Sequence, residues 1–270
     1  MSTSYLDSSL LLVYSCGDNP SWFSDCLVSI ITQSHIPDDL VIVLNSACLT
    51  SNHVSILGSF AEHFRFIYTK QFEPFSVALN YGLSYCYYDL VFRFDPDYLI
   101  INERFFIQYN FMLSNPDIDI CGSFAYSFSA DPQLIDLVTV PLENDMIISS
   151  LYRNPLIHPT VVFRRSKLSI LNNYRNLSRS QDYDLWFKAA AHGFRFANLP
   201  QPLIKYRLPS QGNKKNLASS LVQSFILLTN IFHYKFPLWW LIFSLPMLLK
   251  PLFPFAIWRF LKKTLLRLFL

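Results

Sequence analysis

The 270-residue sequence predicts an α/β protein with a Rossmann-like, doubly wound, mostly parallel sheet and an appended basic, hydrophobic tail. Three observations predict it. Short apolar runs alternate with helix-like patterns from residue 10 to about 125. The runs are unbroken rather than alternating, as expected of strands covered by helices on both faces. Polar residues gather where the runs end, on the edge where such sheets bind ligands.

The strands are expected at 10–15 (LLLVYS), 40–45 (LVIVLN), 64–69 (FRFIYT), 90–95 (LVFRFD) and 118–124 (IDICGSF). Helices are expected between them at 21–34, 51–62, 76–87 and 102–114. Asn102 is the expected N-cap of the last, and Asn115–Pro116–Asp117 its stop. Residues 126–210 are less regular, with a helix over QDYDLWFKAAAHG, closed by Gly193, and a final strand at 202–208. The domain is expected to end at 210, and SQGNKKN (210–216) reads as a linker.

Composition narrows the classes. Hydrophobic residues make up 51% and charged residues 15%, rich for a soluble domain. Five cysteines lack any CxxC spacing, which argues for a reducing compartment and against zinc or a disulfide framework. The first residues include Asp7 and no basic n-region, so LLLVYS reads as a strand and not as a secretion signal. Residues 1–184 hold all 19 acids against 10 Lys/Arg, a balance of −9, while 185–270 carry 12 Lys/Arg and no acid. Basic residues among bulky aliphatics suggest an anionic membrane surface and not nucleic acid. The alternative is a basic helix pair packed on the domain. None of the apolar pieces at 217–232, 236–249 and 251–270 is an uninterrupted apolar run of the roughly 20 residues needed to span a bilayer, because lysines and prolines interrupt them. Arg259, Lys263 and Arg267 share one face of the last, an interfacial pattern, with a re-entrant hairpin at 236–254 as the other option.

The chemistry-bearing residues are few. Asp95 and Asp97 end a buried strand at a proline turn. Two carboxylates without His or Cys suit Mg²⁺ or Mn²⁺, which take oxygen ligands, although such a pair also ends strands in ordinary turns. Arg93 could meet a phosphate or pair with an acid. Asp182 and Asp184 flank Tyr183 in the first turn of a helix, where one can face a site as a base or both can offset the helix dipole. His158, before a proline, reads as structural or as part of a site.

Together these motifs resemble glycosyltransferase family 2 proteins of the GT-A fold, of the bacterial cell-surface polysaccharide kind. The resemblance runs over residues 10–210. It is carried in order by the opening VYS strand, WFSDCLVSIITQS, PDDLVIVLNS, SVALNYGLSYCYYDLVFRFDPD, NERFFIQYNFMLSNPDIDICGS, NPLIHPTVVFRRS and YRNLSRSQDYDLWFKAAAHGFRFANLPQPLIKYR. It implies an inverting transferase that moves a sugar from a nucleotide-sugar donor to a glycan or lipid-linked acceptor. Asp95 and Asp97 would hold Mg²⁺ or Mn²⁺ against the donor pyrophosphate, and Asp182 would be the base. Tyr14, Asn45 and Arg93 would face the nucleotide-sugar, with His158 and Asp184 on the acceptor side. The 211–270 tail would hold the enzyme peripherally or monotopically on the cytoplasmic side of a membrane.

The sequence departs from the family pattern at Asn45–Ser46, at Phe72–Glu73–Pro74, at Gln181 and at Tyr98. These departures keep open an inactive nucleotide-sugar-binding homologue. A nucleotidyltransferase would call for a Gly-rich, basic loop after the first strand, and YSCGDNPSWF has one Gly and no Lys or Arg.

Overall fold

The computed structural model describes residues 4–15, 18–45, 51–128, 135–207 and 217–241, apart from the side chains of 51–54 and 217–220. Ser46, the whole 210–216 linker and everything beyond 241, including the Arg259 face and most of the 236–254 hairpin, lie outside the described residues.

Strands β1 (Ser4–Ser15), β2 (His35–Asn45), β3 (Arg65–Tyr68) and β4 (Leu90–Phe94) form a parallel half-sheet in the order β3-β2-β1-β4. Helices α1 (Pro20–Ile31), α2 (Ser51–Ser59) and α3 (Phe75–Leu83) make the crossovers. Asn19 caps α1, its side chain accepting from the Ser21 and Trp22 amides, and Pro20 needs no amide partner there. The register sets Ser15 opposite Asn45 and Leu12 opposite Phe94, so three chain reversals open on one edge.

The second half of the sheet corrects the expectation of a mostly parallel one. After β5 (Leu99–Ile100) and α4 (Arg104–Ser114) come β6 (Ile120–Phe128), β7 (Ile135–Val138), α5 (Asn144–Ser149), β8 (Val162–Arg164), α6 (Arg165–Ile170), α7 (Gln181–Ala191) and β9 (Phe196–Arg207). The order continues β4-β8-β6-β9-β5, with β8 antiparallel to both β4 and β6 and β5 antiparallel to β9. Only β6 and β9 pair in parallel there. Strands of two to four residues carry too little periodicity to be seen in sequence. The cap of α4 also differs: Asn102 and Glu103 both have left-handed φ, and the Asn102 side chain donates to the Pro202 carbonyl.

The unbroken apolar strands are explained by the two layers. Leu10 and Leu12 face α1 and α4, while Leu11 and Val13 face α3, α7 and a last helix, α8 (Leu217–Tyr234). Gly82 lets α3 lie close to the sheet, since a Cβ there would collide with Leu11 and Val43. Ile226, Leu227 and Ile231 of α8, and Trp240 beyond it, belong to the same buried cluster as Leu185 and Trp186. The expected boundary at 210/211 is therefore not a packing boundary. Burial of one face makes α8 part of the domain's core, closer to the packed-helix alternative than to a detached tail.

Candidate active site

The geometry centres on Arg93. It is the fourth residue of β4 and only 1% exposed, with its Nη1 2.5 Å from Asp95 Oδ1 and its guanidinium over the Phe75 ring. Its Nε has no hydrogen-bond partner. Behind it, the equally buried Arg104 donates to the carbonyls of Arg93 and Val161 and to Gln108, so α4 braces the end of β4. Burial, and then the charge of Arg93, lowers the Arg104 guanidinium to about 9.

Two further carboxylates lie within the field of Arg93. Asp97 is pushed up to about 7, first by burial and then by the Asp95 charge; Asp18 adds to this and Arg93 opposes it. Asp182, in the first turn of α7, is raised by burial, against the pull of its backbone amides, Asn154 and Arg93. The Asn154 side chain donates to Asp182 Oδ2 at 3.3 Å. Asn154 and Ser180, which bracket this contact, both adopt left-handed φ near +50°, strained for residues other than glycine. The charge of the buried Arg93 thus reaches carboxylates at both the end of β4 and the start of α7. The fold supplies this across 89 residues, since Asp182 reaches the rim only because α7 packs on the sheet.

The sequence model described as Glycosyl transferase family 2 matches residues 13–165, over half the chain. The chain belongs to glycosyl transferase family 2. A UDP-Gal:alpha-D-GlcNAc-diphosphoundecaprenol beta-1,3-galactosyltransferase from Escherichia coli is 30% identical over 77% of this chain and 76% of its own. The amylovoran biosynthesis glycosyltransferase AmsE of Erwinia amylovora is 28% identical over 77% of this chain and 78% of its own. Among solved structures, S. aureus TarS 1-349 in complex with UDP-GlcNAc has a TM-score of 0.64, covering 92% of this chain and 72% of that one. At 13% identity it shows a shared GT-A-like fold.

Within this family 2 chain, several expected contacts are engaged by the protein itself. Tyr14 is buried and stacked on Phe23 with centroids 4.0 Å apart, and its hydroxyl donates to the Asp18 carbonyl. Its ring face is therefore not an open platform for a nucleobase. The Asn45 amide donates to the Glu73 carbonyl at 2.9 Å, while its oxygen accepts from the Glu73 amide and the Thr69 hydroxyl. Asn45 thus shapes the 69–73 loop. Its departure from the family pattern and that of Phe72–Pro74 form one contact.

The acceptor-side expectations also change. His158 is buried, 2.8 Å from the Tyr174 hydroxyl and edge-on to Trp186. Burial, with Arg93 nearby, holds its pKa well below the ordinary value, so it is a neutral core histidine. Asp184 is fully buried and paired at 2.6 Å with Arg175, with Asn230 of α8 donating to the same oxygen. It turns away from Asp182 because residues two apart on a helix point to different sides. Its work is to join α7 to α8.

Two residues near the centre escaped the sequence reading. Asp18 accepts from the Ser15 amide at 2.7 Å, and burial and the Asp95 charge raise its carboxyl. Its place directly after the first strand was the available signal. Asn154 had none, since only the tertiary contact brings it to Asp182.

The donor set fits a divalent cation of the Mg²⁺ or Mn²⁺ type. Asp95 and Asp97 offer hard oxygen ligands whose mutual repulsion a cation would relieve. Among the described residues no group of three His, Cys, Asp or Glu forms a metal centre. Such an ion would therefore take its other ligands from water or substrate.

The raised Asp97 carboxyl has a defined pH consequence. The folded metal-free protein keeps this proton up to about 7, whereas the unfolded chain releases it near the model-peptide value of 3.8. This group's contribution to stability is present at low pH and lost as pH rises through about 7. Because a cation needs the ionised form, Mn²⁺ affinity should rise roughly tenfold between pH 6 and pH 8. Calorimetric titration should give that slope, and Asp97→Asn should flatten it and weaken binding at both pH values.

Proposed function

We propose that this protein is an inverting glycosyltransferase. It moves a sugar from a nucleoside diphosphate sugar to a hydroxyl of a lipid-linked surface-polysaccharide intermediate, at the cytoplasmic side of a membrane. The observation that carries the reading is the buried Arg93 guanidinium, which pairs with Asp95 at the end of β4 and whose charge also acts on Asp97 and Asp182. The lipid-linked acceptor class draws on the E. coli relative, whose name states a diphosphoundecaprenol acceptor.

Asp182 is the group suited to be the base. Burial raises its carboxyl above the ordinary carboxylate range, which makes it a stronger base than an exposed aspartate. It removes the acceptor hydroxyl proton as that oxygen bonds to the anomeric carbon. On the opposite face the bond to the diphosphate oxygen breaks, and the nucleoside diphosphate leaves with the electron pair. A divalent cation held by Asp95 and Asp97 would supply neutralising charge to the departing diphosphate. Arg93 orients Asp95, and Asn154 orients Asp182.

The reading is tested by thermal shift across nucleoside diphosphate sugars, with Mn²⁺ and with EDTA. One donor should raise the melting temperature by several degrees with Mn²⁺ and by little with EDTA. The rival reading, donor binding without turnover, draws on the direct Arg93–Asp95 ion pair, which already engages one carboxylate. It gains if the shift is identical in EDTA and no transfer product forms. A panel with no shift at all would remove the donor assignment.

A further inference from the structure

Helix α8 is apolar on two sides. Ile226, Leu227 and Ile231 are buried in the core, yet Leu221, Phe225 and Phe232 form an outward stripe, the two phenylalanines 62% and 63% exposed. Spacings of four and seven residues set all three on one face. A helix apolar on both sides is expected to be covered on both. No helix among the described residues is long and apolar enough to cross a membrane, so burial by spanning does not account for the stripe.

Beside the stripe, an open groove of about 1190 Å³ separates α8 from α6 and α7. Its charged lining is one-sided. Arg175 and Lys188 line it with no Asp or Glu in the lining, and the acid paired with Arg175, Asp184, is fully buried. Burial lowers the Lys188 ammonium; the Asp184 charge opposes this, and Arg175 adds a smaller lowering. Exposed Ile170 continues the apolar surface on the far wall.

We infer that this groove and the α8 stripe form a docking surface for an anionic lipid leaflet, with headgroups against Arg175 and Lys188 and Phe225 and Phe232 in the acyl boundary. Charge selects this occupant. The chain's own residues 242–270 carry five Lys/Arg and no acid, so they would be repelled from a basic groove. An anionic surface is attracted to both, and an amphipathic face beside cations is the interfacial pattern. The surface lies on α8 and is distinct from residues 242–270, and the inference rests on the reading that the acceptor is membrane-borne. Helix α7 carries Asp182 at one end and Lys188 and His192 at the other. Lys188 lies six residues beyond Asp182 on this helix, so docking would fix the base roughly 9 Å from the headgroup contact.

The test is co-sedimentation of the full chain with phosphatidylcholine vesicles, with and without phosphatidylglycerol, in the absence of donor and acceptor. The expected result is partitioning that requires phosphatidylglycerol. Phe225→Ser with Phe232→Ser should weaken it about tenfold, and Lys188→Gln severalfold on anionic vesicles only. Phe225 and Phe232 are exposed while Lys188 is half-buried and donates to the Asn173 carbonyl, so unchanged melting curves are required to establish that each variant folds. Partitioning of both variants equal to the parent chain overturns the inference and assigns binding to residues 242–270. If the paired Phe variant instead converts a vesicle-free dimer to a monomer, a second copy covers the stripe and the inference also fails. Partitioning is read without catalysis, so its loss leaves the transferase reading intact, and an inactive chain that still partitions removes only that reading.

Discussion

Asp182→Asn is expected to lower the rate constant of sugar transfer by roughly three orders of magnitude, within the range a positioned base contributes. Donor affinity should stay within about twofold. The amide is isosteric and can still accept from the Asn154 side chain through its oxygen, so the local geometry survives. It cannot take the acceptor proton. Burial already penalises the charged carboxylate, so the variant should melt no lower than the parent chain. The parent's rate should fall toward acid pH, because protonated Asp182 is no longer a base. Stopped assays of product formation beside calorimetric donor titration will check both halves. Full activity in the variant would remove Asp182 from the chemistry, and equal loss of rate and donor binding would make it a binding residue.

The second large effect concerns stability. Arg175→Met should destabilise the protein by about 3 kcal/mol at neutral pH, because it leaves the fully buried Asp184 carboxylate with only the Asn230 amide. Arg175 itself is 46% exposed, so the partner change is milder: Asp184→Asn leaves a cation that water can reach. Adding Asp184→Asn to Arg175→Met should recover most of the loss, a coupling that a double-mutant cycle measures. Urea midpoints with unchanged slopes are the readout. If Arg175→Met shifts the midpoint by no more than an ordinary surface change, the ion pair does not stabilise the buried Asp184 at the α7–α8 contact.

The two predictions illustrate which features can be read along the chain. The alternation of apolar runs and helices made the parallel half-sheet legible, because strands covered on both faces are apolar on both. The same pattern located Asp95 and Asp97 at the end of β4 and Asp182 at the start of α7. The antiparallel half was not legible, since β5, β7 and β8 have at most four residues each. Their pairing is decided by partners far away in sequence.

The side-chain roles divide in the same way. By itself, the sequence determined the family, the order of the elements in the parallel half and the carboxylates available for chemistry, because periodicity and residue type act locally. Tertiary structure decided which way each group turns. Asp182 and Asp184 are two residues apart with opposite surroundings, one among Arg93 and Asn154, the other locked to Arg175 and Asn230. Asn45 shapes a loop, His158 lies in the core, and α8 completes the domain that the composition had assigned to a tail. Burial and ion pairing are sums over elements distant in the chain, and only packing brings those terms together.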